Sequence, residues 1–151
     1  MFRAACLALT LAAAPAAARS IEDDYNSMLS PRPVAETMDR LEAAVRDAGA
    51  TVFARVDHSG GAASVEMELP EAQLLIFGNP RLGTPVMQQD LRAGLHLPLR
   101  VLVHASDGGS VIVWEDLDAM LGGLEITPEL EARGRIAGAL ERFATEAAAR
   151  E

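Results

Sequence analysis

The sequence predicts an α+β domain: a largely antiparallel β-sheet with helices packed on one face and an extra helix at the C-terminus. Three observations carry this reading. Val34, Met38, Leu41, Val45 and Ala48 recur at spacings of four, three, four and three, the stripe of an amphipathic helix. Asp107-Gly108-Gly109 separates two β-rich runs, Leu99 to His104 and Val111 to Trp114, and marks a hairpin. Leu130, Ile136, Ala137, Leu140, Phe143 and Ala147 form a second helical stripe behind Thr127-Pro128-Glu129. Two such helices need a flat partner to bury their stripes, and the intervening strands supply one.

Taken in order, residues 1–18 read as a signal peptide. Arg3 gives a positive start, Ala4 to Ala14 a short apolar run, and Ala16-Ala17-Ala18 a small-residue cleavage site. The run is too short for a membrane span, and no later run is longer and apolar enough. The expected location is therefore periplasmic or secreted. Residues 19–32 are polar and irregular, a tail or a poor edge strand ending in Ser30-Pro31-Arg32-Pro33.

A single domain is expected over 33–151. Its first helix runs from about Pro33 to Ala48, with Gly49 as a C-cap. Thr51 to Val56 reads as a strand ending in the loop Asp57-His58-Ser59-Gly60-Gly61, and Ala62 to Leu69 leans towards helix. Gln73 to Phe77 is a buried strand, apolar on both faces. The glycine- and proline-containing loop from Gly78 to Gly83 leads to a short helix at Thr84 to Gln89. After the hairpin, Asp116 to Leu121 forms a helical turn, and Thr127 caps the last helix with Pro128 in its first position.

Composition narrows the function classes. The 151 residues carry a net charge of −9, and every one of the 13 basic residues is Arg. Without a concentrated positive footprint, a nucleic-acid partner is excluded. Without Lys, so are Schiff-base chemistry and a P-loop. The one cysteine, Cys6, lies inside the signal segment, so thiolate catalysis and cysteine-ligated metals drop out of the mature chain.

The stretch from Thr51 to Trp114 resembles the bacterial domain-of-unknown-function family 302. The residues that carry the resemblance are Thr51-Val52-Phe53-Ala54-Arg55-Val56-Asp57-His58, Leu74-Leu75-Ile76-Phe77-Gly78-Asn79-Pro80, Gly83-Thr84-Pro85-Val86-Met87 and Leu97-Pro98-Leu99-Arg100-Val101-Leu102-Val103. The resemblance implies a β-α-β4-α arrangement, helices on one side of an antiparallel sheet, and a homodimer. Its first strand would fall at Tyr25 to Ser30, where the residues support it poorly, and the helix from Thr127 reads as an addition to the core unit. The resemblance implies no activity.

The segment Gly78-Asn79-Pro80-Arg81-Leu82-Gly83-Thr84-Pro85 offers the clearest binding chemistry. A helix beginning at Thr84 would present unpaired N–H groups to an anion, with Asn79, Arg81 and Thr84 as side-chain donors and Gly83 allowing close approach. The plainer reading is a strand-to-helix connection. His58, at a strand end beside Asp57, suits ligand contact or general acid–base work; its plainer reading is a loop histidine. The expected ligand site is thus His58, Asn79, Arg81, Gly83 and Thr84, with a small anion as partner.

An enzyme using His58 and a structural dimerisation module are the alternatives; an apolar patch on the uncovered sheet face would favour the second. His58, His96 and His104 show no metal-ligand spacing, even with Met67 or Met87 as soft extra ligands, and no cofactor motif is present. The acidic groups at Glu66/Glu68, Glu115/Asp116/Asp118 and Glu129/Glu131 read as a solvated surface. Ser59, Ser64 and Ser106 lack a nucleophile-elbow context.

Overall fold

The computed structural model describes residues 24–150; the expected signal peptide at 1–18, residues 19–23 and residue 151 lie outside the described residues. Five strands form one antiparallel sheet in the order β1-β5-β4-β3-β2. They are β1 (Tyr25–Ser30), β2 (Thr51–Asp57), β3 (Ala72–Gly78), β4 (Leu99–Ser106) and β5 (Gly109–Glu115). The helices are α1 (Val34–Asp47), α2 (His58–Ala63), α3 (Pro80–Gln89), α4 (Leu117–Leu121) and α5 (Glu131–Ala148).

The α1 stripe is fully buried at Val34, Met38, Leu41 and Val45. It packs with the buried α5 residues Ile136, Leu140, Phe143 and Ala147 over Leu75, Phe77, Val101, Val103 and Ile112 of the sheet. Burying the four α1 side chains alone contributes roughly 6–12 kcal/mol of gross transfer free energy. The Phe77 and Phe143 rings meet edge-to-face at 5.8 Å, joining sheet and helix. Arg32 and Arg40 donate to the carbonyl oxygens of Ala149 and Glu146, satisfying groups the α5 C-terminus leaves open.

The polar N-terminal segment contains a regular strand. Tyr25 to Ser30 pairs with Glu115 to Ser110 at the sheet edge. An edge strand needs little apolar character, which is why its pattern reads as irregular. Its one deeply buried residue, Ser30, is satisfied by Thr37 of α1, whose hydroxyl also meets Ser110 of β5. Gly109 sits where no side chain fits: a Cβ there would lie 2.1 Å from the Ser30 carbonyl oxygen. The hairpin turn itself is made by Gly108 at φ +83°.

Two helices begin earlier than the sequence reading has them. At the end of β2, Asp57 accepts the Gly60 amide and starts α2 at His58, while the helix expected across 62–69 stops at Ala63. The chain from Ser64 to Glu71 then returns without regular structure. After β3, Asn79 caps α3 and Pro80 takes its first position, so the expected loop from 78 to 83 is mostly helix, with Pro85 inside it.

The opposite sheet face carries no helix. Cross-strand pairing lines up Val56, Leu74, Leu102 and Val113 on it, with Ile76, Val111 and Leu29 in the neighbouring rows. Leu29 is 74% exposed and Val56 is also exposed, while Leu74, Ile76, Leu102, Val111 and Val113 are half-buried; the Arg100–Glu115 ion pair shares this face.

Candidate functional site

Antiparallel pairing separates the two halves of the site expected from the sequence. Thr51 lies opposite Gly78, and Asp57 lies opposite Gln73. His58 follows the far end of β2 and Asn79 follows the near end of β3, about 20 Å apart at the rise of an extended chain. The expected grouping of His58 with the Gly78–Thr84 segment is corrected by this register: consecutive strand ends in an antiparallel pair point opposite ways.

His58 is exposed at the start of α2. Asp57, the carboxylate next to it in sequence, is committed elsewhere. It accepts hydrogen bonds from the Gly60 amide at 2.8 Å and the Ser59 hydroxyl at 2.7 Å. The Gly60 amide first, and then Ser59, hold its carboxyl below the usual aspartate value. His104 lies on β4 with Nδ1 2.9 Å from the Ala105 carbonyl oxygen, and His96 lies in the connection before β4. Among the described residues, no group of three or more His, Cys, Asp or Glu side chains is placed to hold a metal.

The start of α3 differs in its chemistry from the expectation. Pro80 has no N–H, Asn79 Oδ1 accepts from the Arg81 amide at 3.0 Å, and the Asn79 carbonyl accepts from the Leu82 and Gly83 amides. Those donors have partners within the chain, so this helix start offers an anion nothing unpaired. Thr84 is in the middle of α3, and Arg81 points away into solvent.

What the same segment does form is a wall. A cavity of about 600 Å³ lies between the C-terminal end of α1, the ends of β2 and β3, α3 and α5. Asn79, Gly83 and Thr84 line it; Arg81 and His58 do not. Its apolar surface comes from Phe53, Phe77, Leu82, Met87, Leu97, Leu99, Ile136 and Phe143. Among the described residues, the only charged ones in the lining are Arg135 and Arg142 of α5. Seven residues apart, they share one helix face about 10 Å apart along its axis.

Each guanidinium has a loose carboxylate neighbour, Glu131 at 3.8 Å and Glu146 at 3.9 Å, and both arginine side chains are more than half exposed. Pairs of this length at the surface contribute little, so both arginines stay available to an incoming anion. Arg142 also lies 5.2 Å from the Phe143 ring centroid, which steers it along the cavity edge. Sequence reasoning missed these two arginines and Phe53. The available signal was their spacing: Arg135 and Arg142 flank the buried α5 stripe on one side.

A second hollow of about 550 Å³ lies between β1, β5, α4 and α5. Three of its carboxylates have structural duties. Asp116 caps α4 through the Asp118 and Ala119 amides, Asp118 pairs with Arg133, and Glu115 pairs with Arg100.

A family model described as "Domain of unknown function DUF302" matches residues 26–144, from β1 into α5. Over 100 residues, 66% of the chain, the sequence is 42% identical to "Fluoride-specific ion channel FluC 1" of Brucella suis, covering 39% of that protein. Identity is again 42% over 100 residues with "Fluoride-specific ion channel FluC 1" of Brucella abortus and "FluC 2" of Brucella melitensis, covering 36% of each. The chain thus spans less than two-fifths of the length of these curated relatives. The crystal structure of an uncharacterized conserved DUF302 protein from Bacillus stearothermophilus superposes with a TM-score of 0.74 at 19% identity. It covers 82% of this chain and 97% of that one, and establishes the shared fold.

Proposed function

The chain belongs to the DUF302 family, whose description assigns no activity, and from its cavity we propose a binding module for a small molecule with an apolar body and one negative group. The supporting observation is a hollow of about 600 Å³ with largely apolar walls, in which, among the described residues, the only charged ones are two arginines. A volume of this order takes a drug-sized ligand, and a charge-assisted hydrogen bond to guanidinium orients its anionic end. In a chain of net charge −9, two cations at one cavity mark where an anion is tolerated. Asn79 and Thr84 from the sequence-predicted set contribute polar wall; His58 has no part.

The fluoride-channel name belongs to the longer Brucella proteins. A cavity of this size and apolarity suits an organic anion better than a bare halide, and no helix among the described residues is long and apolar enough to cross a membrane. With the leader expected at 1–18, the module works in the periplasm or outside the cell; N-terminal sequencing of protein from the periplasmic fraction tests this.

The ligand test uses decanoate as probe and decanol as its uncharged control. Decanoate raises the thermal midpoint in a saturable way, as a ligand of the folded state must. Decanol binds about ten-fold more weakly, and an Arg135→Gln/Arg142→Gln variant weakens decanoate about ten-fold while leaving decanol unchanged. Absence of any saturable decanoate effect removes the proposal.

A second reading rests on the open sheet face. Five strands at ordinary spacing give a surface of about 24 by 20 Å, so two copies would bury roughly 1,000 Å², about the least that a specific interface needs. A second copy of the chain is the proposed occupant, because an apolar face of this kind is complementary to itself under two-fold symmetry. Sedimentation equilibrium then gives a dimer that Leu102→Asp converts to monomer. A wild-type monomer at 100 μM would refute it.

A further inference from the structure

Phe53 breaks the alternation of β2. Val52 pairs with Phe77 and Arg55 with Leu75, both on the helix-covered face, while Ala54 pairs with Ile76 on the open one. Two residues therefore stand where strict alternation allows one, and the register shifts between Val52 and Ala54. Such a bulge re-aims the extra side chain. Here it carries the Phe53 ring to the wall of the 600 Å³ cavity, where it remains 60% exposed. The ring packs close over Gly78, with its Cε2 atom 3.4 Å from where a Cβ would stand.

A large apolar ring held open beside a cavity is unusual in a chain with so few aromatics. Four phenylalanines occur, and the three within the described residues all line this hollow. Phe77 and Phe143 are buried and serve the core; Phe53 is the one left mostly exposed. The same lining includes Arg135 and Arg142 of α5, its only cations among the described residues.

We propose that Phe53 is a stacking surface, and that the cavity's ligand class is a planar aromatic monoanion of about naphthalene-carboxylate size. The ring lies against Phe53, and the carboxylate accepts hydrogen bonds from the α5 guanidiniums. This rests on the cavity reading above and narrows it from apolar anions in general to aromatic ones.

The test is calorimetric titration of the wild-type protein, Phe53→Leu and Phe53→Tyr with 2-naphthoate and with decanoate. Phe53 is mostly exposed, so both variants keep the fold, which circular dichroism checks. Wild type binds 2-naphthoate more tightly than decanoate. Phe53→Leu keeps apolar bulk and loses about ten-fold in 2-naphthoate affinity but no more than about two-fold in decanoate affinity, while Phe53→Tyr retains both within about two-fold. Equal losses for the two probes, no loss for either, or decanoate binding without 2-naphthoate preference would overturn the aromatic assignment and leave the cavity reading standing. If neither probe binds wild type, the cavity reading itself falls.

Discussion

Replacing Thr37 with Val tests how the first strand is locked to the rest of the fold. Thr37 is fully buried, and its hydroxyl lies 2.8 Å from Ser30 Oγ and 2.9 Å from Ser110 Oγ. Valine keeps the shape and removes the oxygen, stranding two buried serine hydroxyls. Each stranded group costs about 1–3 kcal/mol. Ser30 still accepts from the Arg32 amide at 3.3 Å, which softens its share and brings the total to about 3 kcal/mol. For a domain of this size that is a thermal midpoint about 10 °C lower. Urea denaturation of Thr37→Val measures it. The triple variant Ser30→Ala/Thr37→Val/Ser110→Ala removes all three hydroxyls and recovers part of the loss, because only the half-buried amide and carbonyl of Arg32 then lack these partners. A Thr37→Val protein within about 0.5 kcal/mol of wild type, or a triple variant less stable than the single, would refute this account.

Two further outcomes follow from local geometry. Gly109→Ala forces a Cβ against the Ser30 carbonyl and costs about 3 kcal/mol or more, whereas Gly108→Ala, with open space but φ +83°, costs about 1 kcal/mol; denaturation midpoints that reverse this order would show that the close approach is not what excludes a side chain. Asp90 accepts from the Arg92 side chain, the Arg92 amide and the Glu125 amide, and these hold its carboxyl well below the usual carboxylate range. The folded state thus favours the ionised form, so Asp90 stabilises above about pH 4 and loses that contribution as pH falls further. Asp90→Asn is accordingly less stable than wild type at pH 7, and the gap narrows between pH 5 and pH 2; a gap independent of pH would contradict it.

The elements legible in the sequence were those whose signal is local. The α1 stripe, the α5 stripe and the Asp107-Gly108 turn each announce themselves within a dozen residues, because helix period and turn chemistry are short-range properties. The strand β1 was not legible as regular structure: it earns its place by pairing with β5 and by one buried serine, and neither is visible without its partner. The start of α3 was displaced because both Pro80 and Pro85 suit a first helical turn, and the choice was made by the Asn79 cap. At the site, Asn79, Gly83 and Thr84 lie on the cavity because Asn79 follows β3 and the other two sit on the helix that starts there, whereas His58 follows the opposite end of the antiparallel pair, a direction that the sequence left unspecified. Arg135 and Arg142 are distant in sequence from every other wall of the hollow, and only tertiary packing brings them there.

The pairing of β1 with β5 also has a kinetic side. Its partner residues come some eighty to ninety positions later in the chain, while the β4–β5 hairpin closes across a two-residue turn. Closing the longer loop forfeits more chain entropy, so the hairpin and its helices assemble first and the opening strand docks onto a scaffold already built. Until it does, the edge of β5 lies bare, a template for strands from other molecules, and the interval before docking is when a nascent chain is most prone to aggregate.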